Sequence, residues 1–323
     1  MSSGEDELIA RYFRPLATDP GAFGLIDDAA IINGSSDDLV VTTDAIVEGV
    51  HFLPGDPPHT IARKALRVNL SDLAAKGAAP AGFVLTLALR TADENWLKEF
   101  ANALGEDAKL FACPLLGGDT VSTPGPLSIS VTAFGHVPAG RMVRRSGAKA
   151  GDVVLVTGTI GDATLGLALL KHGSETGSPA AQNALIARYR VPEPRVRIAA
   201  AVREHAHAAM DVSDGLAGDL AKLCKASGVT AEIKLEQVPL SPAARVGLAK
   251  KLATIEALIS GGDDYEVLCT VPESSLAAFL SAAAVQRVEA TAIGVIRSGD
   301  DPPVFISATG RPVTLKRSSY SHF

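Results

Sequence analysis

Val153-Val154-Leu155-Val156-Thr157-Gly158-Thr159-Ile160-Gly161-Asp162 reads as a strand, Val153–Val156, running into a glycine-bearing turn, and the alanine- and leucine-rich stretch after it reads as a helix. Downstream the same alternation continues. Arg195–His207 reads as a second helix, and Asp211-Val212-Ser213-Asp214-Gly215 opens a third. Ile233–Leu235, Tyr265–Thr270 and Ala292–Ile296 read as strands. Upstream, Arg145–Asp152 (RSGAKAGD) is polar and glycine-containing, which places a domain boundary near residue 150 and predicts two domains, 1–150 and 151–323. Before that boundary, Leu8, Ile9, Tyr12, Phe13 and Leu16 recur at helical spacing and predict a short helix over residues 5–16. Leu39–Thr43 reads as a strand ending in Asp44, and Phe83–Leu89 and Leu127–Phe134 as two more. Residues 59–77 read as a helix with Leu66, Leu70 and Leu73 on one stripe and Asn69, Asp72 and Lys76 on its flank, closed by Gly77 and Pro80. The fold class is α/β (α+β), with sheets covered by helices.

Composition bounds the rest. The chain has 323 residues, 47% of them hydrophobic and 20% charged, enough for more than one core without disulfides or a structural metal. A formal net charge of −6 without a Lys/Arg block excludes a nucleic-acid footprint, so any phosphorylated substrate has to be held locally, by metal ions or a few placed arginines. Cys113, Cys224 and Cys269 are odd in number, far apart and without C-x-x-C spacing, as free thiols of a reducing compartment would be. The acidic start does not suit a signal peptide, and no apolar run approaches the ~18 residues of a membrane span, so a cytoplasmic protein without membrane contact is expected.

Aspartates gather at turns and element ends: Asp27-Asp28, Asp44, Asp72, Gly117-Gly118-Asp119, Asp211 with Asp214, and Gly261-Gly262-Asp263-Asp264. Any one of them could be a helix cap, and Asp162 and Asp214 suit that role best. As a set they suit Mg2+, which takes a few carboxylates together with water and substrate phosphate, while adjacent glycines let backbone N–H groups approach phosphate. No G-x-S-x-G, H-E-x-x-H or Walker A ending is present. The Arg141, Arg144, Arg145 cluster by itself reads as a solvated loop.

In order along the chain, GEDELIARYF (4–13), DDAA (27–30), TTDAIVEGVHFLP (42–54), KALRVNLSDLAAKGAAP (64–80), LLGGDT (115–120), GRMVRRSGAKAGD (140–152), MDVSDGL (210–216), GGDDYEV (261–267) and SYSHF (319–323) resemble the thiamine-monophosphate kinases of the aminoimidazole ribonucleotide synthetase superfamily. The resemblance implies ATP-dependent phosphorylation of thiamine monophosphate to thiamine diphosphate with several Mg2+ ions. It also implies a homodimer whose amino-terminal sheets form a shared barrel, and a carboxy-terminal α/β sandwich. By motif match Asp28, Thr42, Thr43, Asp44, Asp72, Asp119, Asp211 and Asp214 would be metal ligands. Gly118, Asp119, Arg145 and Ser213 would contact ATP, and His51, Asp263 and Tyr320 would line the acceptor site. One departure stands out: where the family reads Gly-x-Gly-Asp-Asp, this chain has Gly24-Leu25-Ile26-Asp27-Asp28. Two other readings keep the fold, a non-catalytic nucleotide or divalent-ion sensor and a purine-pathway synthetase. The aspartates are expected to converge and hold cations between two phosphates that otherwise repel each other.

Overall fold

The structure is a computed structural model that describes residues 8–25, 32, 36–173 and 178–315. Asp27, Asp28, Ile26 and Tyr320 lie outside the described residues. The chain divides into two compact units, Met1–Leu73 with Ala78–Gly140, and Ala74–Gly77 with Arg141–Phe323.

In the first unit, β1 (Asp38–Val47), β2 (Ala79–Leu89), β3 (Leu115–Ser122) and β4 (Ser128–Val137) form a sheet in the order β1-β4-β2-β3, with β2 and β3 parallel and the other pairs antiparallel. Alternate side chains go to opposite faces of a strand. Ile129, Val131 and Ala133 of β4 and Leu85 and Leu87 of β2 are accordingly buried with the apolar stripes of α1 (Pro58–Ala75) and α2 (Glu94–Leu110). Leu66, Leu70 and Leu73 of α1 are wholly buried, on the stripe their spacing predicts. The other sheet face leaves Leu39, Val41 and Val121 exposed. The two helices are joined by one buried carboxylate: Asp107 accepts from Arg67 Nε at 2.5 Å and from Arg63 Nη1 at 2.6 Å.

The second unit has a seven-stranded mixed sheet, β11-β10-β7-β9-β5-β8-β6, built from β5 (Val153–Thr157), β6 (Ala208–Asp211), β7 (Val229–Lys234), β8 (Val267–Val271), β9 (Ala290–Ser298), β10 (Val304–Ile306) and β11 (Pro312–Val313). Every residue of β5 is buried, and its side chains divide between two cores. Val154 and Val156 pack with α6 (Leu216–Ser227), whereas Val153 and Leu155 pack with α5 (Ala199–His205) and α9 (Glu273–Val285). Helices thus cover both faces of this sheet, in keeping with the sheets covered by helices that the alternation of elements predicts. A satellite core joins α3 (Asp162–His172), α4 (Pro179–Arg190), α7 (Pro242–Ala249) and α8 (Ile255–Ser260).

Several local expectations are corrected. The predicted opening helix is instead a π-helical turn, Ile9–Phe13, followed by a 3-10 turn, Arg14–Leu16. Pro15 has no N–H and its ring clashes with the carbonyl four residues back, so a regular α-ladder does not run through it. Asp44 lies within β1, which runs on to Val47, rather than at its end. Gly117-Gly118-Asp119 is mid-strand in β3, not a turn. Glycine is needed at 118 for packing, since a Cβ there would meet the Leu85 carbonyl oxygen at 2.0 Å. Tyr265 precedes β8 with φ of 51°, outside strand geometry. The helix predicted over Arg195–His207 begins as a 3-10 turn, Val196–Ile198, and its α-helical part is confined to α5. The sequence reading passed over α2, although Leu97, Phe100, Leu104 and Ala108 repeat at three and four residues and Asp93 caps it by accepting from Trp96 N at 2.7 Å.

Two predictions follow from this packing. Asp107→Ala leaves Arg63 and Arg67 facing a void, and should lower unfolding free energy by about 3–5 kcal/mol in chemical denaturation. A loss below 1 kcal/mol would show that the pair does not hold α1 to α2. All three cysteines are free and buried, and burial pushes Cys113 and Cys269 up to about 12 and Cys224 up to about 11. None should react with a thiol reagent at pH 8 until the chain unfolds.

Candidate functional site

In the first unit the inward face of β1 carries Thr42 and Asp44, one strand repeat apart. The α1 stripe buries its leucines and thereby turns Asp72 toward that row, and Thr42 Oγ1 donates to Asp72 Oδ2 at 2.5 Å. Residues 30 positions apart in sequence thus meet. Thr43 has the opposite parity. Its hydroxyl donates to the Val131 carbonyl at 3.2 Å and accepts from Thr132 Oγ1 at 2.9 Å. Asp119 is exposed on β3 opposite Thr86, which pairs with Ser130, which pairs with Ala45. Three strand spacings separate it from β1, about 14 Å. Asp119 and Thr43 therefore belong to the open face, while Thr42, Asp44 and Asp72 share the helix side. Asn69, one turn before Asp72, is wholly buried; its Nδ2 donates to Ala65 O at 3.1 Å, while its Oδ1 has no donor among the described residues.

His51 follows β1 in the turn closed by the Glu48–Phe52 bridge. Its Nδ1 accepts from Val47 N at 3.0 Å, so the neutral ring carries its proton on Nε2, and its carbonyl accepts from buried Lys64 Nζ at 2.8 Å. The ring orientation is thus set from both the backbone and the side chain.

In the second unit Asp211 is the last residue of β6 and is buried. The next turn is tied to the GGDDYE segment by the Asp263 N–H, which donates to Ser213 O at 2.8 Å. A Cβ at Gly262 would lie 2.4 Å from that same oxygen, so glycine is required for this approach. Asp263 and Tyr265 both hold positive φ, 70° and 51°, conformations that cost a non-glycine residue on the order of 1–2 kcal/mol. The flanking carboxylates hold them there. Both oxygens of Asp264 accept from Gly161 N, at 3.0 and 2.8 Å, and burial pushes the Asp264 carboxyl well above its ordinary range. Glu266, also buried, accepts from Arg195 Nε at 2.6 Å, Arg188 Nη2 at 2.7 Å and Thr157 Oγ1 at 2.7 Å. Arg145 is exposed on the loop before β5, its carbonyl accepting from Ser227 Oγ at 3.4 Å.

Neither aspartate read as a pure cap caps a helix. Asp162 accepts from Thr159 Oγ1 at 2.6 Å and Ser241 Oγ at 2.5 Å, fastening a loop to the start of α7. Asp214 accepts from Lys222 Nζ, and the buried Asp219 receives the turn's N–H groups instead. Asp219, Lys222, Glu266 and Arg188 went unnoticed in the sequence because nothing in their local spacing separates them from ordinary helix and strand polar residues.

The donors presented are hard oxygens, hydroxyl and carboxylate, in pairs rather than cages. Among the described residues no group of three or more His, Cys, Asp or Glu side chains could hold an ion by itself. Pairs fit Mg2+, which keeps several waters and completes its shell with phosphate oxygens. No described helix is long and apolar enough to cross a membrane.

Known proteins resemble this chain along most of its length. The family model for AIR synthase related protein, N-terminal domain, matches residues 26–137, and that for the C-terminal domain matches residues 149–306. A thiamine-monophosphate kinase of Caulobacter vibrioides is 45% identical over 98% of this chain and 90% of its own length. Among solved structures, thiamine-monophosphate kinase from Stenotrophomonas maltophilia superposes with a TM-score of 0.83 at 37% identity, covering 95% of this chain and 96% of that one. AaThiL complexed with AMPPCP and TMP superposes with a TM-score of 0.79 at 32% identity, covering 94% of this chain and 97% of that one. With such similarity along nearly its whole length, the chain belongs to the thiamine-monophosphate kinase family of AIR synthase related proteins.

Proposed function

We propose that this chain transfers the γ-phosphoryl group of ATP to the phosphate of thiamine monophosphate, forming thiamine diphosphate and ADP. The carrying observation is full-length membership of a family with a structural neighbour solved with AMPPCP and TMP, in a chain whose Thr42 and Asp72 meet beside Asp44. The roles of the individual residues are part of the proposal. Thr42, Asp44 and Asp72 would hold Mg2+, as would Thr43, Asp119, Asp211 and, outside the described residues, Asp28. Bound Mg2+ would neutralise charge on the transferring group and screen the two phosphates from each other.

The chain's own groups do the positioning. The acceptor phosphate has a second pKa of about 6, so its attacking oxygen needs no general base at neutral pH. That leaves in-line alignment as the protein's task, and the buried Asp264 and Glu266 contacts keep the Ser213–Asp263 junction rigid for it. His51, with Nε2–H directed by the Val47 bond, donates to the acceptor, and Asp263 and Tyr320 complete its binding. Gly118 and Arg145 join Ser213 in contacting ATP. By this division the first unit carries dimerisation and most of the ion ligands, with Asp211 in the second unit. The exposed apolar Leu39, Val41 and Val121 on its open sheet face support a homodimer closing there into a barrel. The three reduced, buried thiols suit a cytoplasmic enzyme.

A coupled ADP assay over a panel of phosphorylated acceptors, with magnesium titrated, tests the reading. ADP release should require thiamine monophosphate. Nucleotide binding without acceptor-dependent turnover would identify a sensor, and turnover on a purine-pathway substrate a synthetase. Asp44→Asn and Asp72→Asn should each lower kcat by about 100-fold or more with an unchanged melting curve. Wild-type rates at saturating magnesium would remove them from the site. Transfer is direct, so a labelled phosphoprotein formed with ATP alone and competent toward the acceptor would refute the mechanism.

A further inference from the structure

The turn between β6 and α6 carries its own cation. Asp219, wholly buried in the first turn of α6, accepts through Oδ2 from Ser213 N at 3.0 Å and Asp214 N at 2.9 Å. Its Oδ1 accepts from Lys222 Nζ at 2.8 Å, and the same ammonium donates to Asp214 Oδ2 at 2.5 Å. Asp214 and Lys222 are partly exposed, with 35% and 39% of their side chains accessible, so this bridge runs from the interior to the surface.

An ammonium between two carboxylates leaves the group with one net negative charge instead of two. A divalent ion on Asp214 would sit beside the Lys222 ammonium already held on its Oδ2, and like charges that close repel. The site therefore disfavours an ion at Asp214.

We propose that the Lys222 ammonium, clamped by Asp214 and Asp219, takes the place of a divalent cation at Asp214 and offsets this turn's negative charge for a phosphate bound at Ser213. Asp214 is then a positioning partner of Lys222 rather than a metal ligand. The phosphate part rests on the proposed function; the statement about Asp214 does not.

The test is a Mn2+ titration of the full-length protein, reading free ion by its EPR signal, without nucleotide and with AMPPCP. Asp214→Asn should bind as many ions as the wild type in both conditions. Lys222→Met should bind one more ion per chain, and Lys222→Met/Asp214→Asn should lose it again. Loss of one ion on Asp214→Asn alone overturns the proposal, as does the absence of a gain in a Lys222→Met protein with a native melting curve. If Lys222→Met does not fold, the Asp214→Asn comparison decides, because that residue is partly exposed and can keep a hydrogen bond to Lys222 as asparagine. A wild type inert toward thiamine monophosphate would sink the proposed function while leaving these ion counts as they stand.

Discussion

Pairing of carboxylates with donors from distant parts of the chain is the constraint on which both units depend. A carboxylate out of water is tolerated only when cations or N–H groups replace its hydration. Asp107 has two arginines of α1, Glu266 has Arg188, Arg195 and Thr157, and Asp219 has Lys222 and two backbone N–H groups. Each arrangement fastens one element to another. Removing a partner would leave a buried charge exposed to low dielectric, so these contacts specify geometry more sharply than apolar packing does.

That distinction separates two kinds of aspartate in an acidic chain. Asp107 and Asp219, buried, are paired with protein donors and serve shape. Asp44 and Asp119 lie on exposed strand positions, and Asp72 meets a threonine hydroxyl rather than a cation. A family that brings two anionic phosphates together needs carboxylates of the second kind, and needs the first kind to hold strained segments such as Asp263–Tyr265 in place.

Much of the architecture was legible beforehand. The apolar run at residues 153–156 marked a strand, and the leucine stripe of residues 66–73 marked the buried face of α1, because side-chain periodicity reports burial. What escaped the reading had competing local signals. Gly117-Gly118 looks like a turn, yet the glycine at 118 serves the close approach of the Leu85 carbonyl inside a strand. The opening segment has helical spacing, yet Pro15 prevents a regular α-helix.

The order and chemistry of the acidic motifs, and with them the family, were determined by the amino-acid sequence, since motif identity is a property of residues in order. Which aspartates meet which partners was decided only by tertiary structure. Strand parity sends Thr43 and Asp119 to one face and Thr42 and Asp44 to the other, and the pairing of Asp214 with Lys222 depends on how the turn folds back onto the first turns of α6. Local sequence carries no record of such contacts, because the energy of a charge depends on what surrounds it in space.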